Sequence, residues 1–363
     1  MILAVAAAFV SCTDTIKYEY DLTDGKITIL GQLSTSDTDH TLFLSMSYPD
    51  RIDSLPGAEV NCYVNGTLHK ASQIPWGYEE QIDWMTLEPV LVPRRERYSR
   101  YMFQADFKPG DKVRVEASKG DLSAWAEVIV PQPGILVSVD TATVVKSYVY
   151  QDIDGSETYD QEYVEFTARL RDVEGTDSYF TMDADRTVVT RLSSEGDGHN
   201  ETIIEGPERM DYETFHDQIL EDGYSSGMGS MLEDIMPVNS MHCFSDRMFR
   251  DGEATVHFYI PSYYFNGFYF YYDADKAEVD RAFRLSFRSI DRGFYNYLRA
   301  MNNLLCYGFD VSPIIEPTML PSNVNGGMGM VSVSSGVFLD IPLETEVYYR
   351  EDFEDEWYYY YYY

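Results

Sequence analysis

Residues 282–329 read AFRLSFRSIDRGFYNYLRAMNNLLCYGFDVSPIIEPTMLPSNVNGGMG, and the hydrophobic period changes partway along. Phe283, Leu285 and Phe287 alternate with Arg284, Ser286 and Arg288, the period of two that belongs to a strand with one buried face. Beyond Ser289 and Asp291, either of which can cap a helix, Phe294, Tyr297, Leu298 and Met301 fall at i, i+3, i+4 and i+7 and make one apolar stripe. The stretch predicts a strand feeding a helix. Asn302 and Asn303 favour the helix's end. Pro313, Pro317 and Pro321 then punctuate a loop into Asn325-Gly326-Gly327-Met328-Gly329, where several residues call for positive φ.

Upstream, the same strand period recurs at Ala254, Val256, Phe258 and Ile260, and strands are expected at 135–139, 143–150, 162–171 and 179–192. Residues 211–222 predict a second helix, with Tyr212, Phe215, Ile219 and Leu220 on one face and Gly223 as its stop. Ser230 and Glu233 make a capping box for one further turn. Residues 134–343 thus form a β-rich domain with short helices near 211–222 and 290–303.

The first half of the chain is built of shorter units. Strands are expected at 26–33 and 40–46, and Ala58, Val60, Cys62 and Val64 alternate with polar residues up to Asn65-Gly66, a type I′ turn signal. Val113, Val115 and Ala117 pair across Lys119-Gly120-Asp121 with Ala124, Ala126 and Val128. Such strands describe an immunoglobulin-like β-sandwich over 26–133, ended by Pro131-Gln132-Pro133-Gly134. The fold class is mainly β. Between Ile74 and Val92 the period is weak, and Pro75, Pro89 and Pro93 suggest a long loop or edge insertion. Its Trp76, Tyr78 and Trp84 are the candidate contacts for a glycan or peptide ligand or a partner, weighed against packing back onto the sandwich.

Composition narrows the function. With 61 acidic residues against 27 basic, the net charge of −34 excludes nucleic-acid binding by counterion release and repels an anionic bilayer. Residues 2–10 are an unbroken apolar run, shorter than the roughly 20 residues of a membrane span but suited to a signal-peptide core. It ends Phe9-Val10-Ser11-Cys12, which resembles the bacterial lipobox. We therefore expect a signal peptide over 1–11, a lipid on Cys12 and a polar spacer over 12–25. Of the other cysteines, Cys62, Cys243 and Cys306, Cys62 lies on the apolar face of its strand and is expected to be a buried thiol. Residues 344–363 carry seven acids and end in six tyrosines, an acidic tail or an aromatic segment that adds to a sheet edge.

Catalytic patterns are thin. Gly223-Tyr224-Ser225-Ser226-Gly227 matches G-x-S-x-G by letter, but follows a predicted helix instead of a strand, so it is read as a Gly/Ser loop. Asp152, Asp154 and Gly155 resemble the start of a calcium loop without its later ligands and are read as a hairpin turn. The six histidines form no metal-binding spacing. No metal, cofactor or catalytic residue is assigned, while paired carboxylates for glycoside chemistry cannot be read from sequence because their separation is spatial.

The runs RLSFRSIDRGFYNYLRAMNN (284–303) and LPSNVNGGMG (320–329), with Phe244-Ser245-Asp246, Phe249 and Gly252, resemble a set of Bacteroidota envelope lipoproteins classified as domain of unknown function 4249. The resemblance covers about residues 12–340. It implies an outer-membrane lipoprotein exposed at the cell surface, and a partner in a SusC/SusD-like TonB-dependent transporter, beside which some such genes lie. It brings no catalytic residues. The expected role is a non-enzymatic accessory or ligand-binding subunit in nutrient uptake. The alternatives are a structural or adhesive envelope protein and a glycan-active enzyme.

Overall fold

The computed structural model describes residues 25–82, 89–93, 96–152, 155–172, 177–193, 200–210, 212–214, 217–220, 239, 241–262, 275–307, 320–342 and 345–349. The first half contributes eleven strands, β1 (Lys26–Ser34), β2 (Asp39–Ser47), β3 (Ile52–Ser54), β4 (Glu59–Val64), β5 (Thr67–Lys70), β6 (Ser72–Ile74), β7 (Tyr78–Ile82), β8 (Pro89–Pro93), β9 (Ser99–Gln104), β10 (Lys112–Lys119) and β11 (Leu122–Ile129). The second half adds β12 (Ile135–Asp152), β13 (Gly155–Arg171), β14 (Tyr179–Ser193), β15 (Asn200–Met210), β16 (Cys243–Ser245), β17 (Glu253–Pro261), β18 (Lys276–Ile290), the helix α1 (Arg292–Tyr307), β19 (Met328–Pro342) and β20 (Glu346–Tyr349). The protein is mainly β, and α1 is the one α-helix among the described residues.

One large sheet organises everything else. Its order is β15-β14-β18-β19-β1-β2-β9-β6, with β16 beside β14, β20 beside β18 and β3 beside β2. The first strand and the last long one lie side by side: β1 pairs in parallel with β19, Thr28 opposite Met328 through Ser34 opposite Ser334. On one face of this sheet the four-stranded sheet β11-β10-β4-β5 closes a core containing Ile29, Leu44, Cys62, Val115 and Ala126, together with Val324, Val331 and Val333 from near the C-terminal end. Further along, the sheet β12-β13-β17 closes a second, phenylalanine-rich core around Phe166, Phe180, Phe258, Phe283 and Phe287.

The period-two reading of β18 holds. Phe283, Leu285 and Phe287 are at most 1% exposed in that second core, so Arg284, Ser286 and Arg288 point to the opposite face of the large sheet. The helix follows, and Asp291 is its cap, its Oδ1 accepting the Phe294 N–H at 3.0 Å. It does not end at Asn302 and Asn303 but runs on to Tyr307, because Asn302 is buried and spends its amide on the Met241 N–H and on Asn239. Ser289 is engaged elsewhere and accepts the N–H of Gly134. Phe294 and Leu298 seat α1 against Ile290 and Met330, forming a third small core. The Asn65-Gly66 turn is present with φ of 50° and 85°, and Cys62 and Cys243 are buried free thiols. Burial pushes the Cys62 thiol up to about 12.

Three further local expectations are corrected. The helix expected over 211–222 is absent from the described part of that segment. Glu213 instead exchanges two backbone hydrogen bonds of 2.8 Å with Tyr259 of β17, and Asp217 Oδ1 accepts the N–H groups of Ile219 and Leu220. Pairing with a neighbouring strand and a local side-chain acceptor outcompete helical bonds there. The weakly periodic segment after Ile74 forms the hairpin β7–β8, with Pro93 opposite Tyr78 and Pro89 opposite Ile82, prolines at strand ends where no ladder donor is lost. The two strands expected over 135–150 are one, β12, kinked by a register shift between Leu136 and Ser138. At the other end, β20 pairs with Lys276–Val279 of β18, so the start of the acidic tail joins the sheet.

Candidate functional site

Even-numbered residues of β18 and β19 and odd-numbered residues of β14 share the face of the large sheet that the two cores leave uncovered. Because side chains on one face stand in register rows, the pairing of four strands dictates what meets there. Arg209 of β15 stands opposite Asp185 of β14, Asp185 opposite Arg284 of β18, and Arg284 opposite Asp340 of β19. The row alternates in sign across four strands. In the next row Asp183 faces Ser286, which faces Phe338. In the third, Thr181 faces Arg288, which faces Gly336.

Gly336 has a steric reason to be small. A Cβ there would lie 2.7 Å from the Phe287 carbonyl oxygen and 2.8 Å from Arg288 Cγ. Its absence leaves room for the arginine's stem.

A cleft of about 590 Å³ opens over these rows. Its floor is the charged grid. Ser34, Ser332, Ser334 and Phe338 line it from the same sheet face, and Met241, Phe294 and Leu298 add apolar surface from outside the sheet. It sits where β1 joins β19, so the first and last parts of the fold both contribute.

Asp183 is the centre of the polar network. Its side chain is 12% exposed, and Arg209 Nη2 approaches Oδ1 at 2.8 Å while Arg288 Nη1 approaches Oδ2 at 3.3 Å. His242 Nδ1 stands 3.5 Å from Oδ1 and 3.0 Å from Arg209 Nη2. His242 is a non-glycine residue at φ 49°, held by stacking on Tyr212 with ring centroids 4.0 Å apart. Tyr212 in turn donates to the Met182 carbonyl at 2.8 Å. Burial raises the Asp183 carboxyl, but His242, Arg209 and Arg288 outweigh it and hold the group below its ordinary value. Asp185 moves the other way, raised by desolvation and by the charge of Asp183. Arg284 grips Asp340 with two bonds, of 2.6 and 3.1 Å. Among the described residues no group of three His, Cys, Asp or Glu is arranged to hold a metal ion.

Of the residues singled out from sequence, Trp76 lies elsewhere. Trp76 packs back onto the large sheet: its Nε1 donates to the Tyr98 carbonyl at 2.7 Å, the Arg100 guanidinium lies 4.2 Å from its ring centre, and Phe43 is its aromatic neighbour. Tyr78 is in β7, but its side chain, like Trp84, Cys12 and the Gly223–Gly227 segment, lies outside the described residues. His40 is a core histidine bonded to the Ala105 carbonyl and lowered by burial. Sequence reasoning missed the cleft. Arg284, Ser286 and Arg288 were legible only as the polar half of an alternating strand, and the identity of the strands beside them supplies the rest.

No curated protein matches the chain. A family model described as Domain of unknown function (DUF4249) matches residues 13–337, which spans β1, the β14, β15 and β18 residues of the charged grid, α1 and most of β19, and stops before Phe338 and Asp340. By that match over most of its length the chain belongs to the DUF4249 family.

Proposed function

We propose that the protein is a ligand-capturing accessory subunit without catalytic activity, held in the outer membrane by a lipid on Cys12 and working beside a TonB-dependent transporter of the SusC/SusD type. The observation that carries the capture role is the cleft over the charged grid. It falls in the size range of small-ligand sites and combines a few placed polar groups with an apolar wall. Its three arginines are engaged, Arg209 and Arg288 with Asp183 and Arg284 with Asp340. Asp183, held ionised by two guanidiniums, is a weak base and has no proton to give at neutral pH. The lipobox-like Phe9-Val10-Ser11-Cys12 supports the anchor.

Native co-purification tests the role: the tagged protein is drawn from outer membrane in mild detergent, and stoichiometric companions are identified by mass spectrometry. A transporter of the SusC type is the expected companion. Recovery of the protein alone would sink the accessory-subunit reading and favour an adhesive one.

A second reading, a glycan-active enzyme, draws on one observation. Asp183 and Asp185 are two positions apart on one strand face, roughly 6.6 Å by strand rise, with carboxyls displaced in opposite directions. Side chains rising from positions so spaced can bring two carboxyls into the range used by paired acids in glycoside hydrolysis. Release of reducing ends from neutral glycans, abolished by Asp185→Asn, would establish it over the non-enzymatic reading.

A further inference from the structure

We infer that the cleft takes an uncharged, hydroxyl-rich ligand, the end of a neutral oligosaccharide; this rests on the capture reading and names its ligand class. The argument begins with charge. The lining holds three arginines, Arg209, Arg284 and Arg288, and three aspartates, Asp37, Asp183 and Asp185. Within the site these cancel, and the ion pairs already close: Asp183 with Arg209 and Arg288, and Arg284 with Asp340.

An anionic ligand would have to draw an arginine from a partner it already holds, Arg284 from Asp340, or Arg288 or Arg209 from Asp183, and the second leaves a carboxylate that is 12% exposed short of a partner. It would also approach a chain of net charge −34. A cationic ligand meets the opposite obstacle. Of the two carboxyls open to it, Asp185 is placed by the register between Arg209 and Arg284, and Asp37 already accepts from the Ser36 hydroxyl.

A hydroxyl has neither difficulty. It donates to a carboxylate and accepts from a guanidinium at the same time, so it fits between neighbours of opposite sign without separating them. The run Arg209, Asp185, Arg284 in the lining offers that donor–acceptor alternation to successive hydroxyls of a sugar ring. The hydroxyls of Ser34 and Ser36, which share a bond of 2.7 Å at the cleft, repeat the same chemistry. The apolar lining supplies what a ring's C–H face needs, because Phe338 is 39% exposed at the cleft.

Topology argues against an extended peptide. Peptides that bind sheets do so by adding to an open edge, whereas β14, β18 and β19 are interior strands and the cleft lies on their face. The volume of about 590 Å³ admits more than one ring, and so the end of a chain.

The test is titration calorimetry of the chain lacking its lipid against three panels: neutral oligosaccharides, oligosaccharides bearing carboxylates or sulfates, and basic peptides, each at low and high salt. The expected result is binding within the neutral panel, with affinity changing by less than about twofold with salt because no net charge is neutralised. Phe338→Ala is expected to weaken it about tenfold, and Ser36→Trp, at the exposed mouth, to block it, with thermal melts confirming that both variants fold. Steeply salt-dependent binding of a charged panel, lost in Ser36→Trp, would overturn the ligand class while leaving the capture role standing. Binding to none of the three panels would overturn both.

Discussion

The hydroxyl of Ser334 donates to the carbonyl of Leu33 at 3.2 Å, a contact that closes a loop of 301 residues. It belongs to the parallel pairing of β1 with β19, which makes the N-terminal sandwich depend on a strand near the end of the chain. Val324, Val331 and Val333 are each at most 7% exposed in that sandwich's core. Three valines at roughly 1.5–3 kcal/mol apiece are comparable to the whole stability of a domain. A fragment of residues 26–133 is therefore expected to lack a cooperative thermal transition. The same fragment with residues 320–336 appended through a flexible linker is expected to regain one. A sharp melt from the bare fragment would show that β19 is dispensable.

Asp183 sets the acid limit of the site. Its folded carboxyl sits below the ordinary carboxylate value, so the native state binds a proton less readily than the unfolded chain. Its stabilising contribution is complete above the ordinary range near pH 4 and is lost as pH falls through the folded value. Removing one partner of a buried pair costs about 3–5 kcal/mol, but Arg209 and Arg288 keep 47% and 32% exposure and can rehydrate, so Asp183→Asn is expected to cost about 2 kcal/mol at pH 7. Urea denaturation at pH 7 and well below pH 4, where the folded carboxyl also takes its proton, measures this. The gap between wild type and variant should narrow on acidification, and an unchanged gap would remove Asp183 as the cause.

What the sequence made legible follows from the range of each interaction. Phe283, Leu285 and Phe287, the Asn65-Gly66 turn and the stripe of α1 are local patterns, and each was read correctly because neighbouring residues decide it. Tyr212 to Leu220 carried an apolar spacing that suits a helix equally well, and a backbone pairing with Tyr259, invisible locally, decided otherwise. The cleft is further from reach. Arg209, Asp185, Arg284 and Asp340 come from four strands spread over more than a hundred residues, and only the register brings them into one row. The β1–β19 pairing has no local signature at all.

The cap of α1 offers a case of the opposite sign. Asp291 is raised by burial even though the Phe294 and Gly293 N–H groups bond to it. Its native state therefore holds a proton more tightly than the unfolded chain, and its contribution declines as pH rises from the ordinary aspartate range through the raised value. Asp291→Asn keeps the Oδ1 acceptor and loses the charge, so it is expected to equal or exceed wild type at pH 7. Asp291→Ala removes the cap and is expected to cost about 1–2 kcal/mol. Denaturation midpoints of the two variants at pH 7 decide the matter; equal losses would mean that the charge, not the acceptor, matters.

Tyr101 shows how one hydroxyl fixes a loop in the first core. The residue is 1% exposed, and its hydroxyl accepts the Ala58 N–H at 2.8 Å while donating to the Leu55 carbonyl at 2.8 Å. Phenylalanine fills the same space but leaves both backbone groups without that partner. Leu55 is itself 3% exposed, so its carbonyl has little water to turn to. An unsatisfied buried group costs about 1–3 kcal/mol, and Tyr101→Phe is expected to fall in that range. The effect should stay local, because Tyr101 keeps its backbone pairing with Leu42 and Gln73 on either side. Hydrogen exchange separates the two levels: the Ala58 amide should exchange faster by more than the global loss of stability accounts for, while amides of β10 should follow the global change alone. Uniform acceleration across both would mean that the hydroxyl supports the whole sandwich and not the 55–58 loop in particular.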